Sequence, residues 1–203
     1  MHSVKTPFGA LKPSKIVCVG RNYAAHIAEL GNETPSDMVI FNKPNSAISR
    51  HLHANLGEPL HYESEIAFLV INQTFAGVGF GLDLTKRTLQ SSLKAKGLPW
   101  ERAKGFDGSA VFSEFVSCPE DRLGLQVRLH VNGEARQHGG VELMIYKPLY
   151  VLSQIQQFMS LEDGDIIMTG TPAGVGEVMS GDLFEGAILN NGETLVEQSW
   201  LAN

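Results

Sequence analysis

The order of apolar and polar positions divides this chain into short segments separated by glycine, proline and asparagine. Lys15–Gly20 (KIVCVG) is a brief apolar run closed by glycine, the pattern of a buried strand. Asn22–Leu30 (NYAAHIAEL) has the spacing of a short helix, with Asn22 as its N-cap and Gly31 as its stop. Val39–Phe41 leads into Lys43-Pro44, where proline argues against a helix. Glu63–Ile71 and Val78–Leu84 predict strands, and the glycines at 77, 79 and 81 predict a bulge or a close backbone approach. Thr85–Lys96 predicts the best helix of the first half, capped by Thr85 and ended by Gly97-Leu98-Pro99. Leu125–Val131 alternates and runs into Asn132-Gly133, a strong hairpin signal. Val151–Met159 predicts a further helix, and Gly164-Asp165, Gly181-Asp182 and Asn191-Gly192 punctuate a strand-rich last third. Together these elements predict an α+β, mostly β chain forming one domain over residues 1–203, with 1–14 as an N-terminal extension. No regular β-α-β alternation supports a doubly wound sheet.

Composition narrows the classes of function. A chain of 203 residues with 43% hydrophobic positions can bury a core without a disulfide or structural metal. The formal net charge of −6, with no Lys/Arg run longer than two, argues against a nucleic-acid or anionic-membrane surface. The longest apolar run, Ile66–Ile71, is too short to span a bilayer, and the first residues lack the apolar stretch of a signal peptide. Cys18 and Cys118 stand in unrelated contexts, which fits a reduced, cytoplasmic chain.

Candidate chemistry starts at Glu63-Ser64-Glu65. Residues two apart on a strand share a face, so Glu63, Glu65, Ala67 and Leu69 oppose Ser64, Ile66, Phe68 and Val70. Two adjacent carboxylates are either the solvated start of a strand or half of a site for Mg²⁺, Mn²⁺ or Ca²⁺. Asp83, where a strand hands over to a helix, is either a further oxygen ligand or a favourable charge at a helix N-terminus. Arg87, Gln90 and Lys94 share a helix face, which suits either solvent or a carboxylate-binding wall. His26 and Glu29 are helix neighbours at i, i+3, the arrangement of an oriented general base or of an exposed polar face. Lys104 sits in a predicted loop, as a surface lysine or as a charge for an oxyanion. Gly164–Gly176 (GDIIMTGTPAGVG) reads as a strand and a glycine-rich loop, yet matches neither phosphate-binding fingerprint. Motifs for covalent Ser or Cys catalysis are absent, and Cys18 reads as packing.

As a set, these residues resemble a known family. Val19–His26 (VGRNYAAH), Phe41–Pro44 (FNKP), His61–Glu65 (HYESE), Leu82–Arg87 (LDLTKR), Gly97–Trp100 (GLPW) and Gly170–Gly176 (GTPAGVG) occur in the order of the fumarylacetoacetate hydrolase family. The branch it resembles contains acylpyruvases and oxaloacetate decarboxylases or tautomerases, near bacterial 2-keto-4-pentenoate hydratase and hydroxyheptadienedioate isomerase-like proteins. The resemblance implies a mixed β-sandwich or β-roll with a few short helices, a homodimer, and Mg²⁺ or Mn²⁺ in a pocket. It implies metal ligation by Glu63, Glu65 and Asp83, and a catalytic group of His26, Glu29 and Lys104 with His26–Glu29 on a lid helix. It places Arg21, Arg87, Gln90 and Thr171 at the substrate, a small 2-oxo or 2,4-dioxo acid. The implied reactions are acylpyruvate hydrolysis or oxaloacetate decarboxylation or tautomerisation, with isomerisation or hydration in aromatic catabolism as the alternative. A non-catalytic metal- or ligand-binding protein on the same scaffold is the competing class. Asn42 departs from the family pattern, which is apolar there, and the connection from Glu65 to Asp83 is short.

Overall fold

The computed structural model describes residues 1–29, 31 and 35–203. Its architecture is built from the apolar strands expected from the sequence pattern. An eight-stranded mixed sheet runs in the order Val39–Pro44, Lys15–Gly20, Ile166–Met168, Ser64–Ile71, Thr74–Asp83, Ala110–Phe112 and Ile48–Ser49, with Val116–Ser117 also paired to Thr74–Asp83. A four-stranded antiparallel sheet, Glu134–Gly140, Leu125–Val131, Leu183–Asn190 and Glu193–Leu201, packs across one of its faces. Ile66, Phe68 and Val70 point into that interface, where the Phe80 and Trp200 rings lie 5.7 Å apart and Tyr62 meets Phe184 edge-on at 5.2 Å. Ala67 and Leu69, on the opposite face, join Ile16, Cys18 and Met168 in a second, smaller core. The face assignment made from strand period alone is therefore the observed one, and Glu65 emerges on the side of the smaller core.

Several boundaries move. The strand Ser64–Ile71 starts one residue after Glu63, and its partner runs Thr74–Asp83, joined by a tight turn with Asn72 and Gln73 at φ 51° and 60°. The two glycine-linked features both occur: the register shifts opposite Leu69/Val70, and a Cβ on Gly81 would lie 2.9 Å from Met168 Cε. Helix α1 spans Ala24–Glu29, and Leu30, the last residue expected in it, lies outside the described residues. Gly31 has φ 60° and donates to the Ala28 carbonyl, as a helix stop does. Helix α2 spans Arg87–Ala95; Thr85 and Lys86 form a short strand instead of its first turn, so Thr85 is not the cap. Helix α3, Glu101–Lys104, occupies the segment expected to be a loop, and helix α4, Pro148–Ile155, begins three residues early with proline in its first turn. The strand expected within Gly164–Gly176 is Ile166–Met168. It inserts between two earlier strands, parallel to Lys15–Gly20 and antiparallel to Ser64–Ile71.

Candidate metal centre and substrate cavity

Two strand ends converge where the smaller core gives way to polar side chains. Glu63 directly precedes the strand Ser64–Ile71, Glu65 is its second residue, and Asp83 ends the hairpin partner beside it. Their carboxylate oxygens lie within 4.8 Å of one another, and the three residues are 6%, 2% and 1% exposed. This burial removes the solvated-strand reading of Glu63 and Glu65. It also carries an electrostatic penalty that the protein meets unevenly.

Two buried lysines supply most of the compensation. Lys104 Nζ donates to Glu63 Oε2 at 2.8 Å, to Asp83 Oδ2 at 2.8 Å and to Thr85 Oγ1 at 2.6 Å. Lys104 is 2% exposed, so it is no surface lysine. Burial works to lower its pKa, but Asp83 and Glu63 hold the ammonium above its ordinary value. Lys43, fully buried, places Nζ 2.8 Å from Asp83 Oδ1, a contact of charge rather than an aligned hydrogen bond. The same ammonium donates to the carbonyls of Leu84, Lys104 and Ser109. Lys43 thereby ties the Asp83 strand to α3. Pattern reading passed over Lys43, although strand period puts it on the face of buried Phe41.

Arg87 donates to Glu63 Oε1, and its other terminal nitrogen donates to Gln90 Oε1 at 2.8 Å. Burial pushes the Glu63 carboxyl up, but Lys104, then Arg87 and His26, hold it well below the usual carboxylate range. Glu65 is different. It receives one backbone donor, the Gly170 N–H at 2.7 Å, and burial followed by the charges of Asp83 and Glu63 drives its pKa well up. The ion pairs of Lys43, Lys104 and Arg87 all go to Glu63 and Asp83, which leaves Glu65 unevenly served. Three hard oxygen donors with that imbalance fit a divalent cation such as Mg²⁺ or Mn²⁺.

The glycine-rich segment closes the other side. Gly170 has φ 98°, and a Cβ there would lie 2.8 Å from Asn22 Cβ, so only glycine lets the loop bring its N–H to Glu65. Asn22, expected as a helix cap, instead pins two loops: its side chain donates to the Tyr146 and Thr169 carbonyls and accepts from the Tyr146 N–H. Gln137 was also missed. It accepts from the Ser64 N–H and donates to Thr171 Oγ1 and the Pro172 carbonyl, which fixes Thr171 against the acidic strand. These partners are separated by 34 to 147 residues, and no local pattern announces such pairings.

Helix α1 forms the remaining wall. His26 Nδ1 lies 3.1 Å from Glu29 Oε2, and Glu29 Oε1 accepts from the Gly174 N–H at 2.9 Å. Gly174 has φ 102°, and a Cβ would run into the Arg136 carbonyl. One carboxylate thus orients the imidazole while latching α1 to the glycine-rich loop. A cavity of about 40 Å³ lies between these elements. Glu63, Glu65, Asp83, Lys104, His26, Arg21, Arg87, Gln90 and Thr171 all line it; of the expected site residues only Glu29 stands behind, in contact with His26. Such a site can bind a carboxylate and a neighbouring oxygen, exclude bulk water and move a proton.

The fumarylacetoacetate (FAA) hydrolase C-terminal family model matches residues 15–198. The oxaloacetate tautomerase YcgM of Escherichia coli is 39% identical over 192 residues, covering 83% of this chain and 85% of its own. A mitochondrial oxaloacetate tautomerase of Arabidopsis thaliana is 44% identical over 186 residues, covering 83% of each chain. Among solved structures, the fumarylpyruvate hydrolase of Pseudomonas aeruginosa in complex with Mn²⁺ and pyruvate superposes with a TM-score of 0.87 at 30% identity, covering 99% of this chain and 95% of the other.

Proposed function

Because this chain belongs to the fumarylacetoacetate hydrolase family, we propose that Glu63, Glu65 and Asp83 hold a divalent cation and that the cavity beside them works on oxaloacetate. The chain is a metal-dependent enzyme acting on small 2-oxo or 2,4-dioxo acids. The observation that carries the finer reading is the buried acidic triad facing a cavity that His26 and Lys104 also line. Mg²⁺ is our choice for the resident ion, supported by the all-oxygen donor set. When bound, the cation supplies positive charge for the negative charge that develops on the 2-oxo oxygen.

The chain's own residues do the rest in keto–enol tautomerisation. Arg87 and Gln90, fixed against Glu63, present donors to the carboxylate next to the 2-oxo group. His26, with Nδ1 engaged by Glu29, offers Nε2 to take the proton from C3. The C3–H electron pair moves into the new C2–C3 double bond, and the carbonyl pair moves to oxygen. Lys104, its three N–H groups held by Glu63, Asp83 and Thr85, adds positive charge on the side of that oxygen. The proton that His26 took from C3 passes to the oxygen, which completes the enol and returns His26 to its starting state. The His26–Glu29 pair also supports hydrolysis of an acylpyruvate, since the same imidazole can deprotonate water for attack on a distal carbonyl.

The enol absorbance band of oxaloacetate, followed with and without Mg²⁺, tests this reading, with acetylpyruvate as the hydrolytic substrate. His26→Ala should lower the favoured rate by about 10²–10⁴ while leaving Mg²⁺ affinity nearly unchanged. Loss of metal binding in that variant, or wild-type rates on both substrates, overturns the assigned role. We further infer a cytoplasmic homodimer. Its support is the family resemblance, two unpaired cysteines, and an exposed apolar run of Leu143, Ile145, Leu149 and Tyr150. No helix among the described residues is long and apolar enough to cross a membrane.

A further inference from the structure

Gln137, on the strand Glu134–Gly140, is 2% exposed and stands behind Thr171. Its partners fix the sense of its amide. The Ser64 N–H, 2.8 Å away, can only donate, so the atom facing it is Oε1. The Pro172 carbonyl, also at 2.8 Å, can only accept, so the atom facing it is Nε2. The reverse orientation would set donor against donor and acceptor against acceptor. Nε2 therefore gives its other N–H to Thr171 Oγ1 at 2.8 Å, and the hydroxyl acts there as an acceptor.

A hydroxyl that accepts on one side has its own proton to place elsewhere. Among the described residues its acceptor is the Pro172 carbonyl, 3.4 Å from Thr171 Oγ1 and already occupied by Gln137. That distance exceeds the about 2.5–3.0 Å of a sound O–H···O bond. Thr171 also lines the cavity, together with Glu63, Glu65 and Asp83. The cavity is where its proton finds a better acceptor.

We propose that Gln137 is a positioning residue that makes the Thr171 hydroxyl a donor toward the cavity, where it binds an oxygen of the 2-oxo acid. The inference rests on the reading of the site given above. A carboxylate or 2-oxo oxygen carries lone pairs and no proton, so it needs a donor, whereas an unconstrained threonine hydroxyl turns either way. Fixing the rotor before the ligand arrives removes part of the ordering cost of binding. The same amide holds the N–H of the peptide joining Glu63 to Ser64, so one side chain keeps the hydroxyl in register with the acidic strand. Gln137 acts on the ligand through Thr171.

Pyruvate, a 2-oxo acid, is the probe, titrated calorimetrically into the Mg²⁺-loaded protein. Thr171→Val removes the hydroxyl at nearly constant shape and should weaken pyruvate binding about 10–100-fold, the range for a hydrogen bond to a charged group. Thr171→Ser keeps the hydroxyl and should bind nearly as wild type. Gln137→Met, uncharged and of similar length, should weaken binding by about 10-fold. In the double variant the losses should not add: Gln137→Met should change the Thr171→Val affinity by less than about twofold, because its effect passes through the hydroxyl. A residue that merely supports the fold would give the same loss in either background. Thermal melting checks that each variant is folded, and the Ser and Val pair keeps the test decisive if Gln137→Met is not. Equal loss in Thr171→Ser and Thr171→Val, full affinity in Gln137→Met, a Gln137→Met loss undiminished beside Thr171→Val, or no pyruvate binding by the wild type overturns the proposal. Non-additive losses in a protein that leaves the oxaloacetate enol band unchanged support it and overturn only the reaction assigned above.

Discussion

Asp165 and Glu65 are both buried carboxylates, 0% and 2% exposed, and both are tied to the short strand Ile166–Met168, one at each end. Asp165 directly precedes the strand. Its Oδ1 accepts from the Ser14 N–H, the Ser14 hydroxyl and the Lys15 N–H, and its Oδ2 from the Lys15 ammonium at 2.6 Å and the Glu162 N–H. Burial pushes its pKa up, but Lys15 and the backbone and hydroxyl donors hold it below the ordinary value. Glu65, served from beyond the other end of the strand, has a single backbone donor and two acids as neighbours. A carboxylate with a full set of donors is finished, and it locks an N-terminal segment to the strand. A carboxylate left short of positive charge is a place for something the chain does not itself carry. Burial alone does not distinguish the two; the count of donors and cations around each does.

The contrast has measurable consequences. The largest concerns Asp165→Asn, which breaks a buried ion pair and turns an acceptor toward donors. It should cost about 3–5 kcal/mol of unfolding free energy while leaving Mg²⁺ affinity unaltered. Because the folded-state pKa lies below the unfolded one, the stability Asp165 gives is full above its unfolded pKa of ~3.9 and is lost as pH falls through the folded value. Urea titrations of both proteins at pH 7 and pH 3 should therefore show the gap narrowing at the lower pH. A constant gap would mean that the lost contacts are not those of the carboxylate charge.

Glu65→Gln should behave in the opposite way. Mg²⁺ affinity should fall by at least the ~10–100-fold seen when only outer partners of a metal are lost. The metal-free protein should be as stable as wild type or more so, because one uncompensated charge has been removed. A large loss of metal-free stability in Glu65→Gln would place Glu65 with Asp165, as a structural group. The smallest effect expected is that of Ser14→Ala. It removes one of five donors to Asp165 and keeps the backbone N–H, so about 0.5–1.5 kcal/mol should be lost. Thermal shift resolves a change of that size in a protein this long, and no shift at all would show the hydroxyl to be redundant.

What the sequence could disclose follows the same division. Glu63 and Glu65 on one strand face, His26 three residues from Glu29, and the Arg87, Gln90, Lys94 stripe are local patterns of period two or 3.6, and the structure brings them to one cavity. The hairpin at Asn132-Gly133 is local as well. Lys43, Gln137, Gly170 and Asp165 act through partners far along the chain, and their neighbours in sequence say nothing of it. Thr85 and Asn22 are residue types that favour helix caps, and here tertiary partners claimed them: Thr85 receives the Lys104 ammonium and Asn22 joins two loops. Its neighbours in sequence left Lys104 open between a surface lysine and a charge for an oxyanion, and only the family resemblance put it in the site; the charges that hold it inside come from two other segments of chain.

The insertion of Ile166–Met168 between two early strands sets an order of events during synthesis. Residues 15–112 contain Glu63, Glu65, Asp83 and both buried lysines, yet within them Lys15–Gly20 and Ser64–Ile71 remain apart, since the strand that pairs with both is made much later. Until it arrives, two apolar strand edges stand open and Glu65 lacks its one hydrogen-bond donor. Closing pairings such as Ile16 with Ile166 brings together distant parts of the chain, which slows folding. A nascent or C-terminally truncated chain therefore holds all three acids proposed to bind the cation without the cradle that arranges them. Full affinity for the cation should appear only after the ribosome has released the last third, late enough that a chain broken off before residue 166 gains no stability from metal.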